Sequence, residues 1–140
     1  MKRVNKILEN STYWEYIRKN KAAEDGRIFC CHNMEHFLDV ARIAWIMNLE
    51  EQLELSKTMI YATALLHDIG RHVQYEDGTP HEIASAQLAE EILKECGFRP
   101  KECALILQAI RDHRNKEKAK EKSLSGVIYR ADKASRACFN

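Results

Sequence analysis

Glycine and proline are scarce in this chain, at five and two of 140 residues, so little in it interrupts a helix. Strand-like alternation of apolar and polar residues is rare too, and apolar residues recur at helical spacing almost throughout. A charge excess of either sign is also missing. The 22 Lys and Arg against 21 Asp and Glu leave a net +1, which gives no general attraction to nucleic acid or to an anionic membrane. The one basic run, Arg111 to Lys122, is interrupted by Asp112, Glu117 and Glu121 and reads as a solvated helix end and loop. No apolar stretch approaches the ~20 residues of a membrane-spanning helix. The basic start MKRVNKILENSTYWEYIRKN has no apolar run of signal-peptide length. The five cysteines, Cys30, Cys31, Cys96, Cys103 and Cys138, are odd in number and form no C-x-x-C pair. This argues against a disulfide framework and a cysteine-rich zinc site, and it points to a reducing, cytoplasmic setting.

What is present is helix. The periodicity predicts a first helix from about Val4 to Lys19, with Ile7, Trp14 and Ile17 facing the core, and then a turn at Asp25-Gly26. A second helix runs from about Cys31 to Met47, with Phe37, Val40, Ala41, Ala44 and Trp45 on its apolar face. A third starts at a Ser56 cap and is apolar almost all round, in the run MIYATALL, which suits a central buried helix. It ends at His67-Asp68-Ile69-Gly70, with Gly70 available as a C-terminal cap. A polar loop follows from Tyr75 to Pro80. Three more helices are expected, over about His81 to Cys96, Pro100 to His113 and Ser125 to Ala137. The fold class is therefore all-α: a compact single-domain helical bundle over residues 1–140, with a core at about 31–136 on which the 4–19 helix packs.

The chemistry concentrates in histidines and aspartates. His67 and Asp68 close the most apolar helix, where burying an imidazole beside a carboxylate is costly unless something satisfies both. A metal ion does so, and so does simple exposure at a frayed helix end. His36 lies on the second helix beside Phe37 and Val40. With His32 it spells HNMEH, but a zinc-protease helix needs a glutamate right after its first histidine, and position 33 is Asn. His81 opens a helix and His113 closes one; either position also suits a solvated or partly charged histidine. Asp132 sits within a helix in VIYRADKAS and needs a partner, which a metal, Arg130 or Lys133 could each supply. Nitrogen and oxygen donors without thiolate favour zinc, iron or manganese, with magnesium less suited to so many imidazoles. A set this large suits two ions, with Asp68 as the shared carboxylate.

The order His36, His67-Asp68, His81, His113, Asp132 resembles the HD-domain superfamily of metal-dependent phosphohydrolases over about Cys31 to Arg136. EHFLDVARIA (35–44) is similar to the family's first ligand helix, ALLHDIGR (64–71) to its signature helix, and YRADKAS (129–135) to the segment with its final aspartate. The resemblance implies one ion on His36, His67, Asp68 and Asp132, and a second that adds His81 and His113. It is closest to bacterial HD phosphatases that cleave diadenosine tetraphosphate symmetrically, although RNKEKAKEK after His113 departs from that subgroup. The family usually has Lys three residues after the HD aspartate. Here Arg71 stands there, still cationic and able to grip a phosphate with two donors.

The resemblance implies a metal-dependent phosphohydrolase acting through a metal-activated water on a nucleotide or other small phosphate ester. Asp68 would bridge the ions, and Arg71, Arg114 and Lys133 would neutralise charge on the phosphoryl group. The same ligands also resemble the small HD-type di-iron oxygenases, and a non-catalytic ligand-binding module is a third reading. The expected partner is a small phosphorylated molecule rather than nucleic acid or membrane, and a homodimer is compatible with this. His32 and His72 are expected not to bind metal.

Overall fold

The MIYATALL helix has no polar face to turn outward, and the fold is organised around it. A computed structural model describes residues 1–24 and 34–135. In it α4 (Lys57–Leu66) begins at Ser56, whose hydroxyl accepts from the Met59 N–H. Ile60, Ala62, Ala64, Leu65 and Leu66 of α4 are fully buried. Around α4 pack α1 (Lys2–Leu8), α3 (Met34–Glu51), α6 (His81–Glu95), α7 (Pro100–Asp112) and α8 (Leu124–Ala134). The α2 helix (Ser11–Glu24) packs on α5 (Arg71–Asp77), and a short 3-10 turn at Lys116–Lys118 leads into α8. No strand occurs among the described residues, and the molecule is a compact all-α domain. No helix among them is long and apolar enough to cross a membrane.

Three local expectations need correction. The single helix over 4–19 is two. Asn10 breaks it because its side-chain oxygen accepts from the Tyr13 N–H at 2.9 Å and so starts a new helix. This turns Tyr13 fully inward, while Trp14 and Ile17 are only partly buried. The polar loop begins later than Tyr75, because α5 extends through Asp77 and ends on Gly78, whose φ of +83° is left-handed. Gly70 is not a left-handed cap; its φ is −94°. It is glycine because α6 lies against it. A Cβ there would fall on the Ser85 nitrogen and 2.7 Å from the Ala84 carbonyl carbon, both backbone atoms. Gly70→Ala should therefore push α6 away and cost about 1–3 kcal/mol, as forced overpacking does. A thermal melt of the metal-free protein checks this, and an unchanged midpoint would show that α6 gives way freely. The expected turn at Asp25-Gly26, the start of the second helix at Cys31, His32 and the end of the last helix at Ala137 lie outside the described residues.

Candidate metal centre

The turn after α4 carries His67 and Asp68, and two helices, α2 and α6, grip the main chain around it through four hydrogen bonds. Tyr13 of α2 donates its hydroxyl to the Leu65 carbonyl at 2.9 Å. Asn20, also on α2, donates its amide to the Asp68 carbonyl at 3.0 Å and accepts from the His72 N–H at 2.9 Å. On the far side the Gly70 N–H donates to the Ser85 hydroxyl of α6 at 2.8 Å. Sequence reasoning did not single out Asn20 or Ser85. The available signal for Asn20 was its place at i+7 from Tyr13, a polar residue on the stripe that α2 buries. With the backbone held from both sides, the two side chains are aimed rather than left at a frayed end.

Donor atoms of His36, His67, Asp68 and Asp132 lie within 4.8 Å of one another, and so do those of Asp68, His81 and His113. Asp68 belongs to both groups and divides its oxygens between them. Its Oδ2 lies 3.4 Å from His67 Nε2 and 4.0 Å from His36 Nε2. Its Oδ1 lies 3.2 Å from His113 Nε2 and 3.5 Å from His81 Nε2. Asp132, on α8, places its Oδ1 3.1 Å from His36 Nε2 and 3.4 Å from His67 Nε2. Arg130 turns the other way, onto the Ala119 and Glu121 carbonyls and the Glu51 carboxylate. Asp132 therefore faces histidines rather than the neighbouring arginine. His36 is the most open of the set, with its side chain 12% exposed.

The histidine tautomers test whether this donor set fits a metal. His67 and His113 each direct Nδ1 at a main-chain carbonyl, Ala64 and Ile110, at 2.6 Å. His81 directs Nδ1 at Gln74 Oε1 at 2.8 Å. A carbonyl only accepts, so Nδ1 carries the proton in all three neutral rings and Nε2 is left with its lone pair. Those three Nε2 atoms are buried and make no hydrogen bond. Buried nitrogen lone pairs converging on carboxylates, each ring braced at its other nitrogen, are what divalent-metal sites require. The residues fit.

Electrostatics without metal agree. Burial opposes the His67 imidazolium, but the Asp68 and Asp132 carboxylates outweigh it and raise the group from 6.5 to about 9. Burial also opposes the charge on Asp68, yet His67, Arg71 and His113 hold its carboxyl well below the usual range; His36 and His67 do the same for Asp132. His81 goes the other way. Burial, aided by Arg71, His113 and Arg114, lowers it to about 3, so it is neutral at physiological pH. A proton on His67 thus stands in for a cation. Its stabilising effect on the metal-free protein is fully present below the unfolded value of 6.5 and is lost as pH rises through about 9. A metal must displace that proton. Affinity at the four-residue group should rise roughly tenfold per pH unit up to about 9. Calorimetry in buffers of different ionisation enthalpy should find close to one proton released from this residue at neutral pH and none well above pH 9. Proton release that does not change across that range would contradict the His67 assignment.

Beside the second group opens a cleft of about 350 Å³ lined by Arg71, Gln74, Gly78, Pro80, His81, Glu82 and Arg114. Arg71 turns inward, with Nε 3.5 Å from Asp68 Oδ2 and its side chain 15% exposed. Arg114 shares the cleft. Lys133 does not line it; its amino group stands 5.4 Å over the Tyr129 ring. His72 belongs to neither donor group. Its Nδ1 meets Asn20 Oδ1 at 2.7 Å and its ring stacks on Tyr16.

Residues 33–137 match the HD domain family, and the chain belongs to it. Members of this superfamily are commonly metal-dependent hydrolases, and the histidine and aspartate cluster described above could hold such a metal. An uncharacterised protein of Clostridium beijerinckii is 49% identical over 140 residues, all of this chain and 87% of that protein. The crystal structure of a predicted HD superfamily hydrolase from an uncultured Thermotogales bacterium superposes with a TM-score of 0.64 at 26% identity. That similarity covers 86% of this chain, which spans 66% of the other.

Proposed function

We propose that this protein is a metal-dependent phosphohydrolase acting on a nucleotide or other small phosphate ester, with two divalent ions of iron, manganese or zinc. The observation that carries the reading is the pairing of a shared carboxylate, Asp68, with an arginine-lined cleft opening directly beside it. His36, His67, Asp68 and Asp132 would hold one ion, and Asp68, His81 and His113 the other. Ions bound there supply a water of lowered pKa and polarise a phosphoryl oxygen. The chain's own part is positioning. Asp68, braced through its main chain by Asn20, keeps one oxygen toward each donor group. Arg71 and Arg114 present guanidinium donors where an anionic substrate enters. Lys133, one residue beyond Asp132, is the least direct of the cationic groups assigned to substrate.

An arginine pair at the mouth favours a phosphorylated substrate over an uncharged one, and the resemblance to diadenosine tetraphosphate phosphatases puts that molecule first among nucleotides to assay. The test is phosphate release, with oxygen excluded, from generic phosphomonoesters and a panel of mono- and dinucleotides by manganese-, iron- or zinc-loaded protein. Turnover on any of them supports hydrolysis. Oxygen consumption by the iron-loaded protein without phosphate release would replace this reading with the oxygenase, and ligand binding with neither activity would leave a binding module.

A further inference from the structure

The three buried imidazoles of the donor groups are not braced in the same way. His67 and His113 stand just past the ends of α4 and α7, and each gives its Nδ1–H to the carbonyl three residues back. Helix C-termini have carbonyls to spare. His81 instead opens α6. A helix N-terminus offers surplus N–H groups and no free carbonyl, so nothing in the main chain there can accept from its ring. A side chain has to do so, and it is Gln74 of α5. Its Oε1 lies 2.7 Å from the His81 backbone nitrogen and 2.8 Å from His81 Nδ1. The backbone N–H can only donate, which identifies the amide atom facing it as the carbonyl oxygen. Nδ1, aimed at the same oxygen, must then carry the ring proton. The α5–α6 connection fixes the Gln74 main chain from which the side chain reaches. The Gly78 N–H returns to the Gln74 carbonyl at 3.0 Å through the left-handed turn.

We infer that Gln74 is a positioning residue for the second donor group: by holding His81 as the Nδ1–H tautomer with its ring fixed, it governs whether Asp68, His81 and His113 retain their cation, and it leaves the group of His36, His67, Asp68 and Asp132 untouched. This rests on the two-ion reading above. Gln74 contacts none of the donors of the four-residue group and lies at the surface, so it can be exchanged without opening the core. If Gln74 only capped the start of α6, its loss would lower stability and leave the imidazole tautomer as it was.

The experiment uses the full chain as wild type, Gln74→Leu and Gln74→Glu. In metal-free protein, long-range proton–nitrogen NMR of the imidazoles should show His81 protonated at Nδ1 in wild type and in Gln74→Glu. In Gln74→Leu the proton should move toward Nε2. On titration with Mn²⁺ followed by calorimetry, wild type should take two equivalents. Gln74→Leu should bind the first as wild type does and the second roughly 10- to 100-fold more weakly, the usual effect of losing a ligand's bracing partner. Gln74→Glu, which keeps an accepting oxygen, should recover the second. An unchanged second affinity in Gln74→Leu overturns the inference, as does an Nε2–H tautomer in wild type or an equal weakening of both equivalents. A wild type that binds fewer than two Mn²⁺ defeats the two-ion reading and this inference with it. A wild type that binds two, with Gln74→Leu indistinguishable from it, defeats this inference alone.

Discussion

Asp68→Ala should remove both metal equivalents at once and abolish phosphate-ester turnover, while leaving the helices in place. The expectation follows from how the carboxylate is divided, with Oδ2 turned to His67 and His36 and Oδ1 to His113 and His81. No other residue belongs to both donor groups. The fold should survive because the turn is held by its main chain. Asn20 and Ser85 grip the Asp68 carbonyl and the Gly70 N–H, neither of which the substitution removes. Breaking a buried ion pair by deleting one partner can cost about 3–5 kcal/mol when a charge is stranded. Here His67 owes its charge largely to the carboxylates beside it and can shed its proton, so the loss should fall below that range. Far-ultraviolet circular dichroism should therefore match wild type while metal content falls to near zero. His113→Ala is the control, since it belongs to the second group only and should lose one equivalent. An Asp68→Ala protein that retained two metals and full turnover would contradict the shared-carboxylate arrangement.

The helical class and the members of the cluster were legible in the sequence for a simple reason. MIYATALL has no polar face, so whatever ends it is buried, and His67-Asp68 ends it. A local conflict marks Asp132, an aspartate inside α8, and His36, a histidine against Phe37, whereas His81 and His113 suit their helix ends and are marked only by the resemblance to the HD-domain order. What the sequence did not show is everything that depends on contact across the fold. Asn20 meets Asp68 across 48 residues and Gln74 meets His81 across a turn; the spacing of Asn20 from Tyr13 marks it as facing inward, but nothing local names the partner of either residue. Gly70 was legible as a special position but not as the right kind. A glycine after a helix reads as a left-handed cap, whereas here its missing Cβ makes room for α6. Asn10 likewise looked like one more polar residue in a helical stretch, until its side chain was seen to start α2.

Arg71→Ala should spare metal binding and reduce phosphate-ester turnover on the order of 100- to 1000-fold, the effect of removing a charge-assisted contact used in the transition state. Arg71 opens α5, and its guanidinium turns back along the turn to within 3.5 Å of Asp68 Oδ2 instead of reaching out to Glu76 or Asp77. Asp77 is engaged with the Thr79 N–H. A guanidinium so close to where two cations would bind is unfavourable unless anionic oxygens lie between them. A phosphate meets that need, with some oxygens toward the donor groups and others toward the arginine fork. Its neighbour in the cleft, Arg114, is exposed and makes no ion pair with Asp68, so Arg114→Ala should raise KM more than it lowers kcat. Lys at position 71 should restore part of the lost rate as a point charge without the fork. The assay has to measure phosphate release with oxygen excluded, because an oxygenase acting on a phosphonate would also need the arginine. Should Arg71→Ala keep wild-type turnover with both metals bound, the guanidinium would be only a counter-charge for Asp68 in the metal-free protein, and the phosphate-binding role would have to pass to Arg114.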